Sequence, residues 1–132
     1  MILDSSVLIA ILRNEPEAAA FAAAIESTAH CRISAVNYVE AAVVSDQSRD
    51  PIARHRFDEL AQEIALRVKV VTGEQARLAR EAYRDFGKGS GHPARLNLGD
   101  CFAYALAKAS GEPLLFKGDD FSLTDVPRVT GG

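Results

Sequence analysis

Cysteine is scarce in this chain: two residues, Cys31 and Cys101, among 132. Two thiols cannot build a disulfide scaffold or a four-thiolate zinc site, so both are expected as small buried residues. No stretch approaches the roughly 18 unbroken apolar residues of a membrane span, so no membrane association is expected. The opening Met1-Ile2-Leu3-Asp4 has no basic run ahead of an apolar one. No secretory signal is therefore expected, and the expected location is the cytoplasm. A linker, a low-complexity tail and a repeat of fixed period are all missing. So is any excess of positive charge. Eighteen acids against 15 bases leave a net charge of −3 and a pI near 5.6. Simple basic nucleic-acid coats run above about pI 9, so that class is excluded.

What is present is an ordinary globular composition, 48% hydrophobic and 25% charged. It suits one domain spanning residues 1–132. Short apolar runs alternate with helical patterns. Strands are expected at Ile2-Leu3, Cys31-Ile33, Val68-Val71, Leu114-Phe116 and Arg128-Thr130. Helices are expected over Ser5–Leu12 and from Pro16, as a first-turn proline, to Ser27. Ser34 is expected to cap a helix to about Ser45, and Asp50-Pro51 to start another. Thr72 and Gln75 have capping-box spacing, and Asn97 caps a helix ended by Gly111. Strands separated by helices imply right-handed crossovers and an α/β fold with a mainly parallel sheet.

In such folds sites gather at the carboxyl ends of strands. Asp4 ends the first strand, Asp119 and Asp120 follow the Leu114-Phe116 strand, and Asp100 lies in the first turn after Asn97. Glu40 interrupts an otherwise apolar helix, on the face of Val36 and Val43, where burial is costly unless something positive meets it. Taken singly, Asp4 could cap a helix, Asp100 could favour a helix dipole, and Asp119 and Asp120 could be turn residues beside Gly118. Together, carboxylates at one sheet edge repel unless a cation neutralises them. Oxygen donors without histidine or thiolate point to Mg²⁺ or Mn²⁺ rather than Zn²⁺. Such a set suits phosphodiester hydrolysis. The four acids Asp4, Glu40, Asp100 and Asp119 outweigh the net charge, so the rest of the chain is slightly positive.

Four stretches in order carry a resemblance. They are Met1-Ile2-Leu3-Asp4-Ser5-Ser6, Ser34-Ala35-Val36-Asn37-Tyr38-Val39-Glu40, Asn97-Leu98-Gly99-Asp100-Cys101-Phe102-Ala103-Tyr104 and Leu114-Leu115-Phe116-Lys117-Gly118-Asp119-Asp120-Phe121. Over almost its whole length the chain resembles PIN-domain ribonucleases, specifically VapC-type toxins of bacterial toxin–antitoxin pairs. The resemblance implies a three-layer α/β/α sandwich and Mg²⁺-dependent endoribonuclease activity, with Mn²⁺ as a substitute. It places the family's acids on Asp4, Glu40, Asp100 and Asp119 as catalytic and metal-holding residues. The family's fourth acid commonly sits in a Thr-x-Asp turn; here the turn reads Lys117-Gly118-Asp119-Asp120, which leaves Asp120 as the other choice. Ser5 matches the family's hydroxyl after the first acid and is expected to touch phosphate or its water. Ser6 is expected in packing or at the helix start, and Asn37 either at the site or satisfied within its own helix. The resemblance further implies a homodimer and a VapB-type antitoxin that covers the site with a helix.

RNA needs cations as well. Between Arg77 and Arg95 five cations face two acids, and Arg77, Arg80 and Arg84 share a helix face. The loop from Gly87 to Pro93 leads toward Asp100. Arg84, Lys88 and Arg95 are therefore candidate phosphate contacts beside the acids, against the alternative of a solvated face and a surface loop. The glycines lack the Gly-Lys-Ser/Thr of a nucleotide-binding loop, and no aromatic platform for stacking single-stranded bases is evident. Three readings follow: a toxin nuclease, a PIN nuclease of RNA processing without a toxin role, and a catalytically silent module binding a partner in the same groove. A phosphatase of the haloacid type lacks its Asp-x-Asp, since Asp4-Ser5-Ser6 stands there.

Overall fold

The computed structural model describes residues 1–129. Its order is β1 (Ile2–Leu3), α1 (Ser5–Leu12), α2 (Ala18–Glu26), β2 (Arg32–Ser34), α3 (Ala35–Gln47), α4 (Pro51–Glu63), β3 (Arg67–Lys69), α5 (Gly73–Phe86), α6 (Leu98–Ser110) and β4 (Leu114–Leu115). A 3₁₀ turn, Asp120–Leu123, follows. The strands form one parallel sheet in the order β3-β2-β1-β4.

Local chemistry starts most helices where expected. Asp4, Ser34, Asp50, Thr72 and Asn97 each accept a backbone N–H from the first turn of the following helix. Pro16 is the exception: α2 begins at Ala18 with Glu17 before it, so Pro16 lies in the preceding turn. Strand lengths also differ from the apolar runs. The register pairs Ser34 with Lys69 and Leu3 with Leu115. When β2 and β1 turn into helix, their neighbours lose their hydrogen-bond partners. Val70, Val71 and Phe116 therefore fall outside the strands. In the last expected strand Arg128 makes an isolated bridge to Leu114, and Thr130 lies outside the described residues.

Side-chain alternation along the strands makes the three layers. Ile2 and Leu114 face α5 and α6, where Ala79, Ala82 and Ala103 allow close approach. Leu3, Ile33 and Leu115 face the other way, onto α1 to α4 with Phe21 and Phe57. Both cysteines are free and buried, and burial pushes the Cys101 thiol up to about 12. Ile33 is fully buried in the second layer. Ile33→Ala is expected to cost about 2–5 kcal/mol in urea denaturation, because such a site cannot fully collapse around the lost carbons.

At the amino ends of the strands the charges are matched. Glu112 accepts from the Met1 ammonium at 2.8 Å and from Arg32 at 2.5 Å. The carboxyl ends are built differently.

Candidate active site

The strand order places β2 and β3 on one side of β1 and β4 on the other. The crevice where the order reverses opens beyond the carboxyl ends of β1 and β4. Asp4 stands there as the N-cap of α1, its Oδ2 accepting from Ser6 N at 3.1 Å. Its Oδ1 is buried and has no partner. From the next strand, α3 carries Glu40 to the same edge, and α6 brings Asp100 by its capping box with Asn97. Asp100 Oδ2 accepts from Asn97 N at 3.0 Å.

These acids feel one another. Burial, opposed by the Ser6 bond and reinforced by Glu40, raises the Asp4 carboxyl above the ordinary carboxylate range. Asp100 is pushed up to about 7, first by burial and then by the charges of Asp4, Glu40 and Asp120. The two acids after β4 are both exposed; Asp119 precedes the 3₁₀ turn and Asp120 opens it. Both stand at the edge of the cluster, and the charge of Asp120 is the one that reaches Asp100. Among the described residues no basic side chain pairs with Asp4, Glu40, Asp100, Asp119 or Asp120.

Among the described residues, no three acid, histidine or cysteine side chains close into a ready metal cage. The donor set nonetheless fits Mg²⁺ or Mn²⁺. Mg²⁺ keeps several of its waters and needs only one or two carboxylates directly. The orphaned Asp4 Oδ1 and the mutual repulsion both call for a cation.

Glu40 does not sit in an apolar core as its neighbours suggest. The buried positions of α3 are Asn37, Ala41 and Ser45, while Val39 and Val43 are 56% and 43% exposed. Small residues let α3 close onto its neighbours, which leaves the valines outside and Glu40 half-buried at the rim. What meets Glu40 is an amide: Asn37 Nδ2 donates to its Oε1 at 2.8 Å. Ser6, expected in packing or at the helix start, stands in the first turn of α1, and its Oγ also accepts from Lys117 N at 3.1 Å and anchors the turn bearing Asp119 and Asp120. Gly99 was not singled out by the sequence. Its signal is a glycine inside the first turn of a helix, a place that gains nothing from glycine unless something approaches closely.

The expected phosphate contacts separate. The loop after α5 is closed at its base by Lys88 N to Leu96 O and Leu96 N to Phe86 O, both 2.9 Å. Lys88 and Arg95 flank this neck, exposed, just ahead of the Asn97 cap. Arg84 instead grips Asp85 beside it, at 2.9 and 3.1 Å. Ser5 is half-buried at the start of α1, next to Asp4. His92 holds the loop, its Nδ1 accepting from Ala94 N at 3.0 Å and its ring edge-on to Phe86.

A parallel sheet with unpaired acids at its switch point is the architecture of the PIN domain. The PIN-domain family model matches residues 1–127. The chain is 54% identical to ribonuclease VapC28 of Mycobacterium tuberculosis over 129 residues, covering 98% of this chain and 97% of the relative. It is 47% identical to ribonuclease VapC42 of the same species over 126 residues, covering 96% of each. The chain belongs to the PIN-domain family and, within it, to the VapC group. The fold likewise matches solved structures. One is M. tuberculosis VapC20, a toxin described as cleaving the sarcin-ricin loop, with TM-score 0.73, 17% identity and 97% of each chain covered. Another is VapBC2 of Rickettsia felis bound to a promoter DNA fragment, with TM-score 0.75, 11% identity and coverage of 97% of this chain and 96% of that one.

Proposed function

We propose that this chain is a single PIN domain acting in the cytoplasm as the endoribonuclease toxin of a toxin–antitoxin pair, dependent on Mg²⁺ with Mn²⁺ as a substitute. The observation that carries the reading is the cluster of Asp4, Glu40, Asp100 and Asp120, in which Asp100 is pushed up to about 7 and, among the described residues, no basic side chain pairs with the acids. Identity of 45–54% to ribonucleases of the VapC group supports the RNA substrate. When bound, the ion supplies Lewis-acid stabilisation of phosphate charge and lowers the pKa of a water at the scissile bond. Asp4 and Asp100 would hold it, Glu40 and Asp120 would complete the acid set, and one of these two carboxylates would take the proton released by the water. Asp119 serves the turn. Ser5 Oγ orients phosphate oxygen or its water, and Lys88 and Arg95 guide the RNA backbone at the loop neck. Arg84, already held by Asp85, contributes general attraction only.

The partner is a VapB-type antitoxin. An apolar pocket of about 120 Å³ between α1, α3 and α4, lined by Ile9, Leu12, Ala41 and Val44 with Arg13 and Arg56 at its rim, offers a seat to one anchoring side chain of an amphipathic partner helix. Exposed Val39 and Val43 on α3 support a homodimer. Among the described residues no helix is long and apolar enough to cross a membrane.

Cleavage of labelled RNA is expected only with Mg²⁺ or Mn²⁺ and is abolished by chelation. A metal must displace the proton on Asp100, so the metal concentration for half-maximal rate should fall as pH rises from about 6 to about 8. Cleavage that persists in chelator, or a metal requirement flat across that range, would remove the basis of this reading.

A further inference from the structure

Asn37 is fully buried, one helical turn before Glu40. Its Nδ2 donates twice, to Glu40 Oε1 at 2.8 Å and to the carbonyl oxygen of Gly99 at 3.0 Å. Its Oδ1 is buried without a partner. Turning the amide over would set its oxygen against a carboxylate and a carbonyl, so these two acceptors fix the orientation. Gly99 closes the other side. A Cβ at that position would lie 2.1 Å from Glu40 Oε2 and 2.5 Å from Oε1. Glu40 thus lies in a slot walled by an amide from its own helix and by bare backbone of α6.

We infer that Asn37 is a positioning residue that locks the Glu40 carboxylate toward the acid cluster and couples α3 to the first turn of α6. The choice of an amide has a physical reason. Lysine or arginine would hold a carboxylate as firmly, but would also cancel charge that a divalent cation needs. Asn37 supplies the hydrogen bond and no charge. The orphaned Oδ1 supports the assignment: a core built for stability alone would not bury an unpaired acceptor, and an apolar residue there would release Glu40. The same amide reaches α6, so Glu40 and Asp100 are held in register by one side chain.

This inference rests on the proposed acid site, and one experiment separates the two. Mn²⁺ alone is titrated calorimetrically into the full chain as wild type, Asn37→Ala, Glu40→Gln and the double variant, with folding checked by circular dichroism. Steady-state RNA cleavage is measured on the first two. Asn37→Ala is expected to weaken Mn²⁺ binding about tenfold and lower kcat by a similar factor, the lower end of what losing a supporting contact to a metal ligand costs. KM for RNA should stay unchanged. Added to Glu40→Gln, it should cause a clearly smaller further loss of Mn²⁺ affinity than in the wild-type background, because the route through Glu40 is already gone and only the bond to Gly99 O is left to lose. Asn37→Ser, which keeps a donor, should recover part of the loss; it takes the place of the alanine variant in both backgrounds if that one does not fold. Equal weakening with and without Glu40, or no weakening where Glu40→Gln weakens, would overturn the positioning role. Wild-type Mn²⁺ binding in Glu40→Gln would instead overturn the acid site, and the inference with it.

Discussion

Asp4→Asn and Asp100→Asn are each expected to reduce RNA cleavage by more than about 100-fold, since removing a metal-holding carboxylate should cost more than the roughly 10–100-fold of losing a contact that merely supports one. Both should fold, and both should melt higher than the wild type at neutral pH in the absence of metal. The reason lies in the double duty of these side chains. Asp4 caps α1 through Oδ2, and Asp100 closes the capping box of α6 through Oδ2. Asparagine keeps an acceptor oxygen for each bond and is as good an N-cap as aspartate. What it removes is a charge held against burial and against neighbouring carboxylates.

The pH dependence has a definite sign. Asp100 binds its proton more tightly in the native state, with a pKa of about 7 against an ordinary 3.8. Native protein therefore carries more protons than unfolded chain between these values. Stability falls as pH rises through that window and levels off above it. Melting curves of the metal-free wild type should shift downward from about pH 5 to about pH 8, and Asp100→Asn should flatten that slope. Unchanged cleavage in both variants would leave the acids as caps alone. A lower melting temperature at neutral pH would show that their charge stabilises the fold.

Gly99→Ala should separate activity from stability in a different way. The added methyl occupies the place of the Glu40 carboxylate, at 2.1 Å from Oε2. Glutamate is long and half-buried, so it can swing outward, and the fold pays little. Alanine also favours a helix over glycine by roughly 1 kcal/mol, which offsets the loss of the Asn37 bond. Stability is therefore expected within about 1 kcal/mol of wild type. Cleavage is expected to fall by about 100-fold, as for a misplacement of roughly 1 Å at a reacting centre. Cleavage kinetics and urea denaturation on the same sample check both halves. Full activity would mean that Glu40 works from outside the slot.

Much of the site's scaffold was legible residue by residue. Ser34, Asp50, Thr72 and Asn97 cap their helices through bonds that span two or three positions, so their neighbours in sequence suffice to find them. The alternation of Ile2 with Leu3 and of Leu114 with Leu115 likewise carries the two faces of the sheet. Each acid was visible too, at a strand end, in a first helical turn or, for Glu40, as a break in an apolar helix.

Which acids share a field is a matter of sheet order. Asp4, Glu40, Asp100 and Asp120 come from four elements spread over most of the chain, and only the placement of β4 beside β1 brings Asp120 to Asp100. The end of each strand was decided by its partner, because a residue without a paired neighbour has no ladder to join. The slot around Glu40 needed α3 and α6 in contact, since no local pattern makes Asn37 and Gly99 neighbours across 62 positions. Sequence by itself determined the pieces, because capping and alternation act over a few residues. Tertiary structure decided the site, because charge repulsion and steric exclusion act through space.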